Sequence, residues 1–187
     1  DEIYSEGIDY DAEVAQALVE KARRIIFATD LPPRISEDAT WYQCKFCSMN
    51  EVCHTPKLPQ PTCRSCIYSQ PEKDGNARWT CQLKDKDLNY DDQILACEMH
   101  TYNPIFMQRW GEMTETSDKE GWVEYTMRDG RKFKNGFRSL SVFSSEELHS
   151  FTPDLVHDPV VEKLRQEFGA VLEPVKSDEF FDDEIPF

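Results

Sequence analysis

All seven cysteines fall between Cys44 and Cys97, and their spacing is that of metal ligands. The first group is Cys44-x2-Cys47-x5-Cys53. A CxxC places two thiolates on one tight turn, where both reach a single ion, and the x5 arm brings a third around. Three thiolates leave a tetrahedral site one ligand short. The fourth is His54, His100, a residue elsewhere, or a cysteine outside this chain. The second group is Cys63-x2-Cys66-x14-Cys81-x15-Cys97-x2-His100. Its CxxC and CxxH knuckles and a central cysteine offer five candidates for four places on zinc. Such a closed site is structural, because it keeps no open position for substrate. The odd cysteine count and the paired spacing speak against a disulfide framework and for metal binding in a reducing compartment.

The elements that must hold these groups read as α+β. Residues 11–28 carry Ala15, Leu18, Val19, Ala22, Ile25 and Ile26 at helical spacing, and Pro32-Pro33 forbid continuation. This amphipathic helix presents an apolar stripe that needs a cover. Residues 41–100 are loop-rich, with prolines at 56, 59, 61 and 71, and small modules of that kind usually need a metal to fold. The residues WTCQL at 79–83 suggest a strand carrying Cys81. Residues 121–143 predict a β-hairpin around Asp129-Gly130, with a second turn at Asn135-Gly136. Ser144 with Glu147 predicts a capping box. Asp158 caps a last helix that opens on Pro159, shows Val160, Val161, Leu164 and Phe168 on its apolar face, and ends at Gly169. From Glu173 the chain is acidic and aperiodic, which reads as a disordered tail. The expected organisation is therefore an amphipathic helix and linker at 1–40, a cysteine-rich metal module at 41–110, a hairpin with short helices at 111–172, and a tail at 173–187.

Charge narrows the function classes. The 187 residues carry a net charge of −15. Residues 1–40 hold 4 basic and 10 acidic groups, and residues 141–187 hold 3 and 12, whereas the middle is balanced. A globally basic nucleic-acid binder is excluded, but a local basic face is not. Arg128, Arg131, Lys132, Lys134 and Arg138 cluster on the hairpin among Tyr125, Phe133 and Phe137. That mixture suits single-stranded nucleic acid, although a solvated hairpin with a core-facing aromatic row is the plainer reading. No apolar run reaches 18 residues, so no transmembrane helix is expected. The opening DEIYSEG is not a secretory signal, and a cytoplasmic location is expected. His149 and His157 read as surface residues.

The cysteine triplet, following a helix and a Pro-rich link, resembles the carboxy-terminal end of RecB-type PD-(D/E)XK nucleases that carry an iron–sulfur cluster, including AddB and the CRISPR-associated RecB-like exonucleases. The stretch PPRISEDATWYQCKFCSMNEVCH is similar to phage-encoded members of that group. The resemblance covers about residues 10–100. It implies that Cys44, Cys47 and Cys53 are the last three ligands of a cluster, that the helix at 11–28 closes a nuclease core, and that a core or separate subunit supplies the fourth ligand. It also implies a phage-encoded protein acting in a bacterial host. The nuclease signature is missing, however: none of the eleven lysines follows an acid two positions earlier, so no acidic-x-Lys is present to hold a divalent ion and support an attacking water. The end of the chain, with Asp182, Asp183, Glu184, Ile185, Pro186 and Phe187, resembles the acidic tip of bacterial single-stranded-DNA-binding proteins. That likeness implies docking to host replication and repair proteins, through a terminal ring and carboxylate steered by the acids upstream.

Together these readings lead to three expectations. The first is a DNA-metabolism accessory module, with zinc at the second group and either an iron–sulfur cluster or a second zinc at the first. The second is an acidic inhibitor or decoy that blocks a host repair enzyme. The third is a complete nuclease with an unrecognised active site.

Overall fold

The computed structural model describes residues 7, 9–72 and 78–168. The expected tail at 173–187, its tip at 182–187 and the helix end at Gly169 lie outside the described residues. The chain divides at Ile35/Ser36 into two compact units. The first contains α1 (Ala12–Ile26), which Asp11 caps by accepting hydrogen bonds from the amides of Glu13 and Val14 at 2.9 and 3.0 Å. Its apolar stripe is exposed at Val14, Leu18, Val19, Ile25 and Ile26, and none of its residues is buried.

The second unit opens with two short helices around the first cysteine group, α2 (Tyr42–Lys45) and α3 (Asn50–His54). A 3₁₀ turn at Cys63–Ser65 leads into a small antiparallel sheet of β1 (Ser69–Pro71), β2 (Trp79–Cys81) and β3 (Lys86–Leu88). Helices α4 (Tyr90–Ile94) and α5 (Pro104–Met107) follow. A second antiparallel sheet runs β4 (Gly111–Ser117), β5 (Trp122–Met127) and β6 (Lys132–Gly136) in order. Helix α6 (Ser145–Ser150), a 3₁₀ turn at Pro153–His157 and α7 (Pro159–Phe168) complete it. Helices and two small antiparallel sheets in separate runs make an α+β chain.

The hairpin forms where Asp129-Gly130 predicts it, with Gly130 at φ +84°, a backbone state open to glycine without strain. The second expected turn does not form. Asn135 and Gly136 are the last residues of β6, paired with Val123 and Trp122. The reason is tertiary. Asn135 is fully buried, accepts from the Tyr102 amide at 2.8 Å, and donates to the Phe143 carbonyl at 3.2 Å and Ser145 Oγ at 3.1 Å. A side chain that satisfies three buried groups outweighs the local turn preference of its dipeptide. Gly136 packs so closely that a Cβ there would lie 2.1 Å from the Gly121 carbonyl oxygen and 2.6 Å from Trp122 Cα. Because these are backbone atoms, Gly136→Ala must part β5 from β6. The expected loss is about 2 kcal/mol or more in urea-unfolding stability, whereas Gly130→Ala strains only a solvent-facing turn.

The core joins stretches expected to be separate. Leu58, Tyr102, Met107 and Trp110, from the cysteine-rich stretch, pack with Val123, Tyr125, Met127 and Phe133 of the second sheet and with Leu148, Phe151 and Val156. The Pro-rich segment is a strap across this core. Trp110 Nε1 donates to the Pro56 carbonyl and Tyr102 Oη to that of Pro59, both at 2.6 Å, and the Arg109 guanidinium donates to the carbonyls of Val52 and Thr55. The break expected at residue 110 is therefore not a division of the described chain.

The capping box of α6 forms as expected, as does the Asp158 cap of α7. Val160 and Phe168 of α7 are exposed, however, and its deeply buried residue is Arg165. The two histidines expected at the surface are half-buried. His149 Nδ1 meets the Leu58 carbonyl at 3.0 Å, and His157 Nε2 is buried without a hydrogen-bond partner. No helix of the described residues is long and apolar enough to cross a membrane.

Candidate metal centres

Each expected knuckle is closed by its own backbone. The amide at the fourth position bonds the carbonyl of the first in Cys44–Cys47 (3.0 Å), Cys63–Cys66 (3.3 Å) and Cys97–His100 (2.9 Å). This tight turn brings the first and fourth side chains together. The first group has a further knuckle feature: the Met49 amide donates to Cys47 Sγ at 3.4 Å. Asn50 ties the loop, donating to the carbonyls of Ala39 and Cys44 at 2.9 and 2.8 Å. All seven cysteines are free thiols.

The second group is drawn from three places in sequence. The 3₁₀ turn and the residue after it carry Cys63 and Cys66, the end of β2 carries Cys81, and the last knuckle carries Cys97. The Cys63 amide bonds the Leu95 carbonyl at 3.0 Å, Cys66 bridges to Tyr102, and Cys81 faces Ser69 in the β1–β2 register. These pairings hold both knuckles against one sheet. Burial, and then the neighbouring Cys66, Cys97 and Cys81, push the Cys63 thiol above its ordinary range. Cys66 is raised by burial and by Cys97 and Cys81, against backbone amides at Thr101 and Tyr68 that favour its thiolate. Amides aimed at sulfur are what a metal-bound thiolate requires. Lys86, paired with Asp92 at 2.9 Å, sits within electrostatic reach of Cys63 and Cys81.

His100 is buried behind the last knuckle. Its Nε2 meets the Thr62 carbonyl at 2.9 Å and Ser65 Oγ at 3.1 Å, so the Nε2 proton is the donor. Its ring packs edge-on to Tyr102, and Nδ1 has no hydrogen-bond partner. Burial lowers its pKa to about 4, which keeps the ring neutral at physiological pH.

In the first group Cys44 is buried, and its thiol is raised by burial, then by Cys47, Cys53 and Asp38. The Asp38 carboxylate, held by the amide and hydroxyl of Thr40 at 2.8 and 2.7 Å, also feels His54. Sequence spacing did not single out Asp38 or Lys86, because neither stands in a motif. Among the described residues, no three or more His, Cys, Asp or Glu side chains are drawn into an arrangement that could hold a metal ion as they stand.

The hairpin separates the expected DNA-binding residues. Tyr125 and Phe133 are core residues, stacked at 5.4 Å, and Phe137 is half-buried against Tyr68, so the aromatic row faces inward. Lys132 pairs with Glu124 at 2.8 Å, Lys134 lies 3.5 Å over the Trp122 ring, and Arg131 pairs with Asp129 at 2.7 Å. Arg128 and Arg138 are exposed. The docking tip at Asp182, Asp183, Glu184, Ile185, Pro186 and Phe187 lies outside the described residues. No protein-family model matches the chain, and no curated protein or solved structure does either.

Proposed function

We propose that the chain is a non-catalytic, metal-stapled accessory module of DNA metabolism, in which Cys63, Cys66, Cys81 and Cys97 hold a structural zinc. The observation that supports this reading is the placing of four cysteines on two hydrogen-bonded knuckles and a strand end, within electrostatic reach of one another, in a segment with little apolar core of its own. Binding asks the thiols to draw in from their present spacing onto one ion. Zinc there supplies folding energy, not chemistry, because four thiolates fill its tetrahedron. The filled site would carry a net charge of −2, of which Lys86, itself paired with Asp92, offsets a part. His100 positions the set: its Nε2–H bond to Thr62, beside Cys63, ties the second knuckle to the first.

Cys44, Cys47 and Cys53 hold a second centre, zinc or iron–sulfur, that is one ligand short. Within the chain the candidates for that place are Asp38 and His54. A partner nuclease core is the candidate outside it. The DNA-metabolism assignment rests on the resemblance of the triplet to the RecB-type exonucleases and of the tip to single-stranded-DNA-binding proteins. Metal content and the absorption spectrum of anaerobically purified protein test the reading. About one zinc per chain, with either a second zinc or iron and a broad band near 400 nm, is expected. Metal-free protein that keeps its fold would overturn it.

A further inference from the structure

The turn between β5 and β6 lies over a cleft of about 280 Å³, lined by Arg109, Arg128, Arg131, Asp129, Asp154 and Trp110, among others. Three guanidiniums face two carboxylates there, which leaves one positive charge uncompensated. Asp129 is taken up by Arg131, through the backbone amide at 3.0 Å and the side chain at 2.7 Å. Arg109 is fixed by the carbonyls of Val52 and Thr55. Arg128 has neither a hydrogen bond nor an ion pair from its side chain among the described residues. The cleft therefore has two anchored cations, one free one and an indole wall.

We propose that this cleft takes a backbone phosphodiester of single-stranded DNA, with Arg128 as its direct contact and Arg109 and Arg131 setting the field around it. The inference rests on the DNA-metabolism reading and adds the residues that do the binding. A phosphodiester carries one negative charge and neutralises the cleft, whereas a phosphomonoester or a run of acids would overcharge it. Guanidinium pairs with phosphate oxygens through a planar fork. The volume lies just below the usual range for whole small ligands, which suits one backbone unit. A flexible single strand can feed a phosphate into a concave site; a duplex presents its phosphates on a stiff convex surface. The five basic residues read from the sequence then separate: Arg128 and Arg131 act here with Arg109, Lys132 and Lys134 are engaged by Glu124 and Trp122, and Arg138 is exposed outside the cleft.

The test is fluorescence anisotropy of the full chain with a fluorescein-labelled 20-nucleotide oligothymidine across a salt series. Arg128→Ala should weaken binding about tenfold and reduce the slope of log K against log salt by about 0.7, the loss of one phosphate contact on a single strand. Lys132→Ala, outside the cleft, should change affinity less than twofold. Because Arg128 is exposed and unpaired, its variant should unfold like the parent, and urea titration checks this. Binding unchanged by Arg128→Ala overturns the cleft assignment and leaves the DNA reading intact. A parent protein that binds no oligonucleotide overturns both, while the metal assignment is judged separately by metal content. Displacement of the oligonucleotide by poly-glutamate at equal charge concentration would mean that the cleft reads carboxylates, and would also overturn the proposal.

Discussion

Replacing Cys81 by Ser should cost the second unit the zinc proposed for it and most of its ordered structure. Cys81 ends β2, where it joins the Ser69 register to the two knuckles, and the sheet around it has only three residues per strand. Three-residue strands cannot stand alone in water, and the proposed zinc would hold them. Zinc sites of this kind contribute on the order of 10 kcal/mol, which exceeds the whole stability of many small domains. The expected result is loss of about one zinc per chain and of cooperative thermal unfolding, and EDTA should do the same to the parent. Cys97→Ser should match Cys81→Ser. His100→Gln should retain the zinc, because the ring acts through Thr62 and Ser65 and the amide can replace its donor. If His100→Gln loses zinc while Cys97→Ser keeps it, the open Nδ1 is the fourth ligand, and the set is three thiolates and an imidazole. Metal analysis alongside circular dichroism reads both outcomes.

The same variants show what was legible in the sequence. Knuckles are visible because two residues at a fixed spacing bind through a local turn, and the turn's hydrogen bond follows from that spacing. Helix α1, the Asp129-Gly130 hairpin and the Ser144–Glu147 cap are local in the same sense. Strand β4 is not. Its residues Glu112 to Thr116 are all exposed, so no apolar alternation marks it, and it is held by its main-chain pairing with β5. The strap is also hidden. Leu58, Tyr102 and Trp110 sit singly among prolines and polar residues, and their role comes from partners that lie between 40 and 60 residues away, as in the bonds from Trp110 to Pro56 and from Tyr102 to Pro59. Asn135 misled because the short-range signal of Asn-Gly was outweighed by three side-chain bonds to residues well outside the turn, Tyr102 among them. The candidate site divides the same way: the cysteines declare themselves, whereas Asp38, Lys86 and Arg109 matter through position alone.

Arg165 is the furthest from anything a pattern could show, and its loss should be the costliest change away from the cysteines. A basic residue in an exposed helix normally faces water, yet this side chain is 4% exposed and its partner Glu147 is 2% exposed. The guanidinium bonds Glu147 Oε1 and donates to the carbonyls of Ser139 at 2.8 Å and Val142 at 3.1 Å, with the Phe143 ring 4.0 Å away. The other carboxylate oxygen accepts the Ser144 amide at 2.7 Å. One pair thus fixes α7, the loop after β6 and the start of α6. Arg165→Met should destabilise the chain by about 3–5 kcal/mol, because it leaves a buried carboxylate unpaired and loop carbonyls without donors. Glu147→Gln should cost less, since the amide keeps an acceptor oxygen for the capped amide. Combining Arg165→Met with Glu147→Leu should recover part of the Arg165→Met loss, because it removes the stranded charge along with its partner. Urea unfolding of the parent, Arg165→Met, Glu147→Leu and the double variant gives the coupling energy directly. Additive losses would mean that the pair is no more than two independent packing residues. Recovery in the double variant would mean that the cost of either single change is the cost of a charge left in the core.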